Sequence, residues 1–217
     1  MNRLFLFFAA IPVLAALSCA AMPSQRVQPV ETTTENQRII PEIPEKASTV
    51  PPEQIMGIGQ IPREKLSGFL LRNNPWADPD FVENLTFHYM EEAALEGVNY
   101  DAAFAQMCLE TGYLSFGGDV SPDQNNFCGL GAIGGGNPGN IFPDPQTGVR
   151  AHIQHLKAYA TEEPLNQEIV DPRYRFVRLG SAPTIYGLAG TWAADLSYGS
   201  KLSVMLQRMY NFSFAAE

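Results

Sequence analysis

Glu110 is the one acid in the stretch Ala102 to Leu114, which reads AAFAQMCLETGYL. Its neighbours are small or apolar, and Gly112 follows two positions later. A lone carboxylate at the end of an apolar helix is costly to desolvate, so its pKa should rise. The partial negative charge of a helix C-terminus pushes the same way. An acid that keeps its proton near neutral pH can protonate a leaving oxygen, which is what breaking a sugar–oxygen bond requires. Tyr198 is the residue read together with Glu110 as its partner. The plain alternative is an exposed Glu in the last turn of a structural helix.

The elements that must hold Glu110 are legible from their ends. Asn99 can cap a helix over 100–111, and Gly112 can stop it. Asp78-Pro79 pairs a cap with a first-turn proline and opens a helix through Glu96, with Gly97 as its stop. Phe81, Leu85, Tyr89 and Ala93 recur along it at near-helical spacing. Asp144-Pro145 repeats the signature for a helix to about Ala160, with Val149, Ile153, Leu156 and Tyr159 facing inward. Residues 115–143, rich in Gly, Asn, Asp and Pro, read as a long loop or small hairpin beside the Glu110 helix. Residues 161–182 read as irregular, 184–188 as a short helix, and about 198–210 as a last helix carrying Leu202, Met205 and Met209. The fold class is therefore mainly α.

Three regions are expected. Residues 1–22 carry Arg3, an apolar run from Leu4 to Leu17 and small residues at Ser18, Cys19, Ala20 and Ala21. That is the layout of a secretory signal, too short to span a membrane comfortably. Cleavage before Cys19 would make it a lipidated first residue. Cleavage after Ala20 or Ala21 would release a soluble protein. The linker that follows suits a tethered domain and favours lipidation, which makes the chain an exported, envelope-anchored monomer whose membrane contact is the lipid at Cys19. Residues 23–64 read as that linker, with prolines among Thr, Glu and Gln and few aromatics. Residues 65–217 form the folded domain.

Net charge is −9, and from Leu66 onward there are 8 Lys and Arg against 17 Asp and Glu, so the folded part is acidic. That excludes a nucleic-acid partner, which needs a basic stripe. Carbohydrate, held by aromatic faces and hydrogen bonds, is not excluded. In an exported chain Cys108 and Cys128 could form a disulfide that pins the Gly-rich loop beside Glu110, or remain two separate thiols. Gly129 to Gly134 spells GxGxxG but lacks the preceding strand and following helix of a dinucleotide site. His152 and His155 have no carboxylate pattern to complete a metal site. No metal and no organic cofactor is implied.

Three segments together carry a resemblance. Ala105-Gln106-Met107-Cys108-Leu109-Glu110-Thr111-Gly112-Tyr113, then Asn125-Asn126-Phe127-Cys128-Gly129-Leu130-Gly131, then Trp192 to Leu202 (WAADLSYGSKL) resemble in order and spacing the motifs of bacterial peptidoglycan glucosaminidases, glycoside hydrolase family 73. The chain departs from the family pattern with Thr111, Tyr113 and Leu196, and has one residue fewer before Gly129. The resemblance implies a lysozyme-like helical fold acting on peptidoglycan glycan strands at the β-1,4 bond between N-acetylglucosamine and N-acetylmuramic acid. It implies Glu110 as general acid and Tyr198 as the active-site tyrosine. Asn126 and Phe127 would line the cleft floor, and Tyr113 and Trp192 would offer ring faces to a sugar. A second carboxylate, Asp119 or Asp123, could act as base or nucleophile, or the substrate's own acetamido group could replace it. Two other functions fit the same residues: a lytic transglycosylase forming 1,6-anhydro-muramic acid, and a non-catalytic wall-binding lipoprotein.

Overall fold

A computed structural model describes residues 49–214. The signal segment expected over 1–22, Cys19 and the first part of the linker lie outside the described residues. Within them the fold is helical: α1 (Arg63–Asn73), α2 (Pro79–Glu96), α3 (Tyr100–Thr111), α4 (Pro145–Ala160) and α5 (Tyr198–Phe214), with three short 3-10 turns. The only β pairings among the described residues are isolated bridges. One of them, between Gly134 and Asn137, is all that appears where a hairpin was allowed.

The caps act as their chemistry dictates. The Asp78 side chain accepts from the Asp80 amide, Asn99 accepts from the Asp101 and Ala102 amides, and Asp144 accepts from the Thr147 amide. Gly97 and Gly112 close α2 and α3 in the left-handed conformation, at φ 74° and 56°. α3 is the centre of the domain. Ten of its twelve residues are buried, and it packs against α2, α4 and α5. A helix apolar all round has nowhere else to go.

The charged groups between α2 and α4 are paired. Arg150 grips Glu92 through two hydrogen bonds of 2.9 and 3.0 Å, and buried Lys157 meets buried Glu96 at 2.8 Å, so α4 is clamped to α2. Glu96 also accepts the backbone amides of Asn166 and Gln167. Such pairs are tolerated in the interior because every charge keeps its partners.

The expected linker ends earlier than residue 64. Ile55 and Ile61 are fully buried. The Ile55 amide donates to the Pro183 carbonyl at 3.0 Å, and the Gln60 and Ile61 amides donate to the Asp101 carboxylate on α3. The Tyr210 hydroxyl of α5 donates to the same carboxylate at 2.7 Å. Asp101 thus ties the incoming segment and α5 to the central helix. Burial raises its pKa, and these donors offset part of the rise.

One close approach sets the long loop. A Cβ at Gly148 would lie 1.8 Å from the Asn125 carbonyl oxygen, so only glycine lets the loop backbone rest on α4. Gly148→Ala is expected to destabilise the domain by about 1–3 kcal/mol, the usual range for overpacking. A thermal melt unchanged by this substitution would show that the loop does not seat there.

Candidate active site

Glu110 lies in the last turn of α3, at the wall of a cavity of about 330 Å³. Tyr198 and Trp192 line the same cavity, as do Asp119 and Cys128. α5 begins at Tyr198, and the Asp195 carbonyl accepts the Tyr198 amide at 3.0 Å while its carboxylate accepts the Ser197 amide. Gly199 keeps that end tight: a Cβ there would lie 2.5 Å from the Tyr186 backbone. Trp192 is wedged against α4, its ring 5.1 Å from His155, 5.7 Å from His152 and 5.8 Å from Tyr159 between centroids.

A continuous line of hydrogen bonds ends on Glu110. The Tyr89 hydroxyl contacts His152 Nδ1 at 2.9 Å, and His152 Nε2 contacts Gln106 Oε1 at 3.0 Å. An amide oxygen can only accept, so Nε2 carries the imidazole proton and Nδ1 accepts from Tyr89. Gln106 Nε2 then donates to the Tyr198 oxygen at 2.8 Å, and the Tyr198 hydroxyl donates to Glu110 Oε1. Trp192 Nε1 donates to the same Oε1 at 3.1 Å. Every donor in this line faces toward Glu110.

The electrostatics follow. Burial holds His152 neutral, with its pKa pushed down to about 3. Burial and the neighbouring Glu110 push the Tyr198 phenol far up, so it stays a donor. The Glu110 carboxyl opens onto the cavity, yet the protein around it withholds enough water to raise its pKa, against the opposing pull of the Tyr198 and Trp192 hydrogen bonds. With Oε1 taken by two donors, the proton of the neutral acid belongs on Oε2.

The loop after α3 forms the opposite lip. Tyr113, Leu114 and Phe116 take positive φ values of 58°, 63° and 45°, which bulky residues seldom adopt. Bonds from the Leu114 amide to Thr111 Oγ1, from the Phe116 amide to the Thr111 carbonyl, and from Asn74 Nδ2 to the Tyr113 carbonyl hold the turn. The turn carries Phe116 to Val120 over the cavity. Asp119 Oδ1 accepts the Gly136 amide at 3.1 Å, joining this lip to the Gly-rich rim.

Several expected site residues lie elsewhere. Asn126 is buried beneath the rim, where its side chain donates to the Leu130 and Asn140 carbonyls and accepts the Leu130 amide. Its donors are consumed in shaping the loop rather than offered to a cleft. Phe127 is core, 1 % exposed and packed toward Phe81. Tyr113 turns away from the cavity, and its hydroxyl accepts from Arg208 at 2.6 Å. Asp123 is outside the cavity lining: the Ser121 hydroxyl donates to it and lowers its pKa. Cys108 and Cys128 form no disulfide. Both are free and buried, Cys108 in the main core and Cys128 in a separate small cluster with Leu130, Phe142 and Ala151, and burial raises both thiol pKa values. His152 and His155 serve as packing and hydrogen-bonding groups. Among the described residues no group of three or more His, Cys, Asp or Glu is placed to hold a metal.

Sequence reasoning passed over Gln106 and Tyr89. The available signal was Gln106 itself, a polar residue four before Glu110 on the same face of an otherwise apolar helix.

A family model described as mannosyl-glycoprotein endo-beta-N-acetylglucosaminidase matches residues 87–211, a span that contains Glu110, Tyr198 and the whole loop between α3 and α4. The protein is thus a glycoside hydrolase of helical fold. More narrowly, it belongs to the glucosaminidase family, and peptidoglycan is the substrate that membership implies. An uncharacterized protein of Borreliella burgdorferi is 37% identical over 215 residues, covering 99% of this chain and 98% of that one.

Proposed function

We propose that the protein cleaves the β-1,4 bond between N-acetylglucosamine and N-acetylmuramic acid, with Glu110 as general acid. The observation that carries this reading is the pinning of Glu110 Oε1 by Tyr198 and Trp192 at the wall of the cavity, which makes Oε2 the oxygen to carry the acid's proton. Oε2 delivers its proton to the glycosidic oxygen as the bond breaks. Tyr198 and Trp192 then stabilise the carboxylate that forms, because their bonds favour the charged state.

Gln106 and His152 are positioning residues. They aim the Tyr198 hydroxyl at Glu110 and touch no substrate. Asp119 lines the cavity and Asp123 does not, which favours Asp119 as the second carboxylate if one is used. The substrate's acetamido group is the competing source of the second function.

Product analysis on purified sacculi tests the bond. Reducing-end N-acetylglucosamine is the expected product. Release of 1,6-anhydro-muramic acid would reassign the protein as a lytic transglycosylase, and no soluble product would leave a wall-binding protein.

A further inference from the structure

A second concavity, of about 240 Å³, adjoins the Glu110 cavity. The two share Cys128, Gly129, Ala132 and Trp192 as walls, so together they form one longer groove. A polymer substrate needs length of this kind. The far walls of the second concavity include His155, Tyr159 and Arg173.

Arg173 is the one Lys or Arg among the walls of the two concavities. Arg63, Arg150, Lys157 and Lys201 each meet a carboxylate. Arg173 meets none among the described residues, and its guanidinium lies 5.0 Å from the ring centre of Phe176. Arg175 covers the same ring at 4.8 Å, and Arg178 follows, so three of the 8 Lys and Arg beyond residue 65 fall within six residues of an acidic chain. The position of Arg173 is built rather than loose. Buried Asp171 accepts the Arg173 amide on Oδ1 and His155 Nδ1 on Oδ2, both at 2.7 Å. With both its oxygens engaged in this way, Asp171 fixes the wall and leaves the guanidinium open to the groove.

We propose that this second concavity is a subsite for a carboxylate borne by the glycan strand, recognised by Arg173. The inference rests on the glycosidase reading. A peptidoglycan strand carries on every second sugar a lactyl group whose carboxylate is either free or amide-linked to an acidic peptide. A planar guanidinium suits either carboxylate through two parallel hydrogen bonds. A neutral strand of N-acetylglucosamine offers no carboxylate for the fork.

The test uses the full chain carrying Glu110→Gln, with and without Arg173→Gln, titrated with three tetrasaccharides. One is chitotetraose, one alternates the two wall sugars with free lactyl carboxylates, and one is the same with peptides attached. Arg173→Gln is expected to weaken at least one acidic ligand about tenfold and to leave chitotetraose within about twofold. The acidic ligand that loses more identifies the source of the carboxylate. The preference should shrink as salt rises. Arg173→Lys should keep part of it, through charge without the fork. Equal loss on all three ligands, or no loss on any, overturns the subsite while wild-type digestion of sacculi still stands. Absence of binding by the Glu110→Gln chain together with no digestion by wild type overturns both readings.

Discussion

Glu110→Gln is expected to lower the rate of sacculus digestion by about 10²–10⁴-fold, the usual contribution of a positioned general acid. The amide keeps an oxygen at Oε1, so the donors on Tyr198 and Trp192 retain their acceptor. Its NH₂ group replaces the acidic Oε2 and has no proton to give. The same substitution should not lower stability at neutral pH. The Glu110 pKa is raised in the folded chain, so any stabilisation it contributes is fully present below the unfolded pKa and fades as pH rises through the folded value. An uncharged isostere removes that loss. Turnover within a few-fold of wild type, with a normal melt, would show that another group supplies the proton.

Tyr198→Phe is expected to lower turnover by about 10²-fold, the scale of a misplaced catalytic group. It deletes one of the two donors on Oε1 and strands Gln106 Nε2 in a buried position. It should also move the pH profile, and the sign is fixed. The Tyr198 hydrogen bond favours the carboxylate and lowers the Glu110 pKa. Without it the pKa rises further, so the acid stays protonated to higher pH and the basic limb of the profile shifts upward. A merely structural tyrosine would lower activity evenly at all pH values. A basic limb that stays in place, or moves down, contradicts the assigned hydrogen bond.

The helix ends were written in local chemistry, and the structure returns them at the same residues. Asp78, Asn99 and Asp144 with their prolines or glycines fix α2, α3 and α4 because a cap needs nothing beyond its own turn. α1 was hidden: its N-cap is Pro62, with no side-chain cap hydrogen bond. Ile55 and Ile61 were hidden as well, since isolated apolar residues among prolines show no period even when they reach the core. α5 runs on to Phe214, past the expected stop at Tyr210. At the site, the motifs point to Glu110, Tyr198 and Trp192, which line the cavity, and of the two loop acids Asp119 and Asp123 only Asp119 does. Motif spacing does not say which face of a turn points inward, and Asn126 and Phe127, expected on the cleft floor, are buried instead. The open Arg173 guanidinium depends on which carboxylates other elements bring near it, and no single segment contains that information.

The grip of Asp101 on the Gln60 and Ile61 amides has a practical meaning for the limits of the folding unit. A fragment cut at residue 65, where composition changes, would remove two amide donors from the buried Asp101 carboxyl, in the same helix that presents Glu110. It would also open the space that Ile55 and Ile61 fill. A piece that keeps these contacts therefore starts upstream of Glu53, whose carbonyl accepts the Ile185 amide. Any pull applied through the preceding chain would load the segment around Pro183 and Ile185 first, through Glu53 and Ile55, and the central helix next.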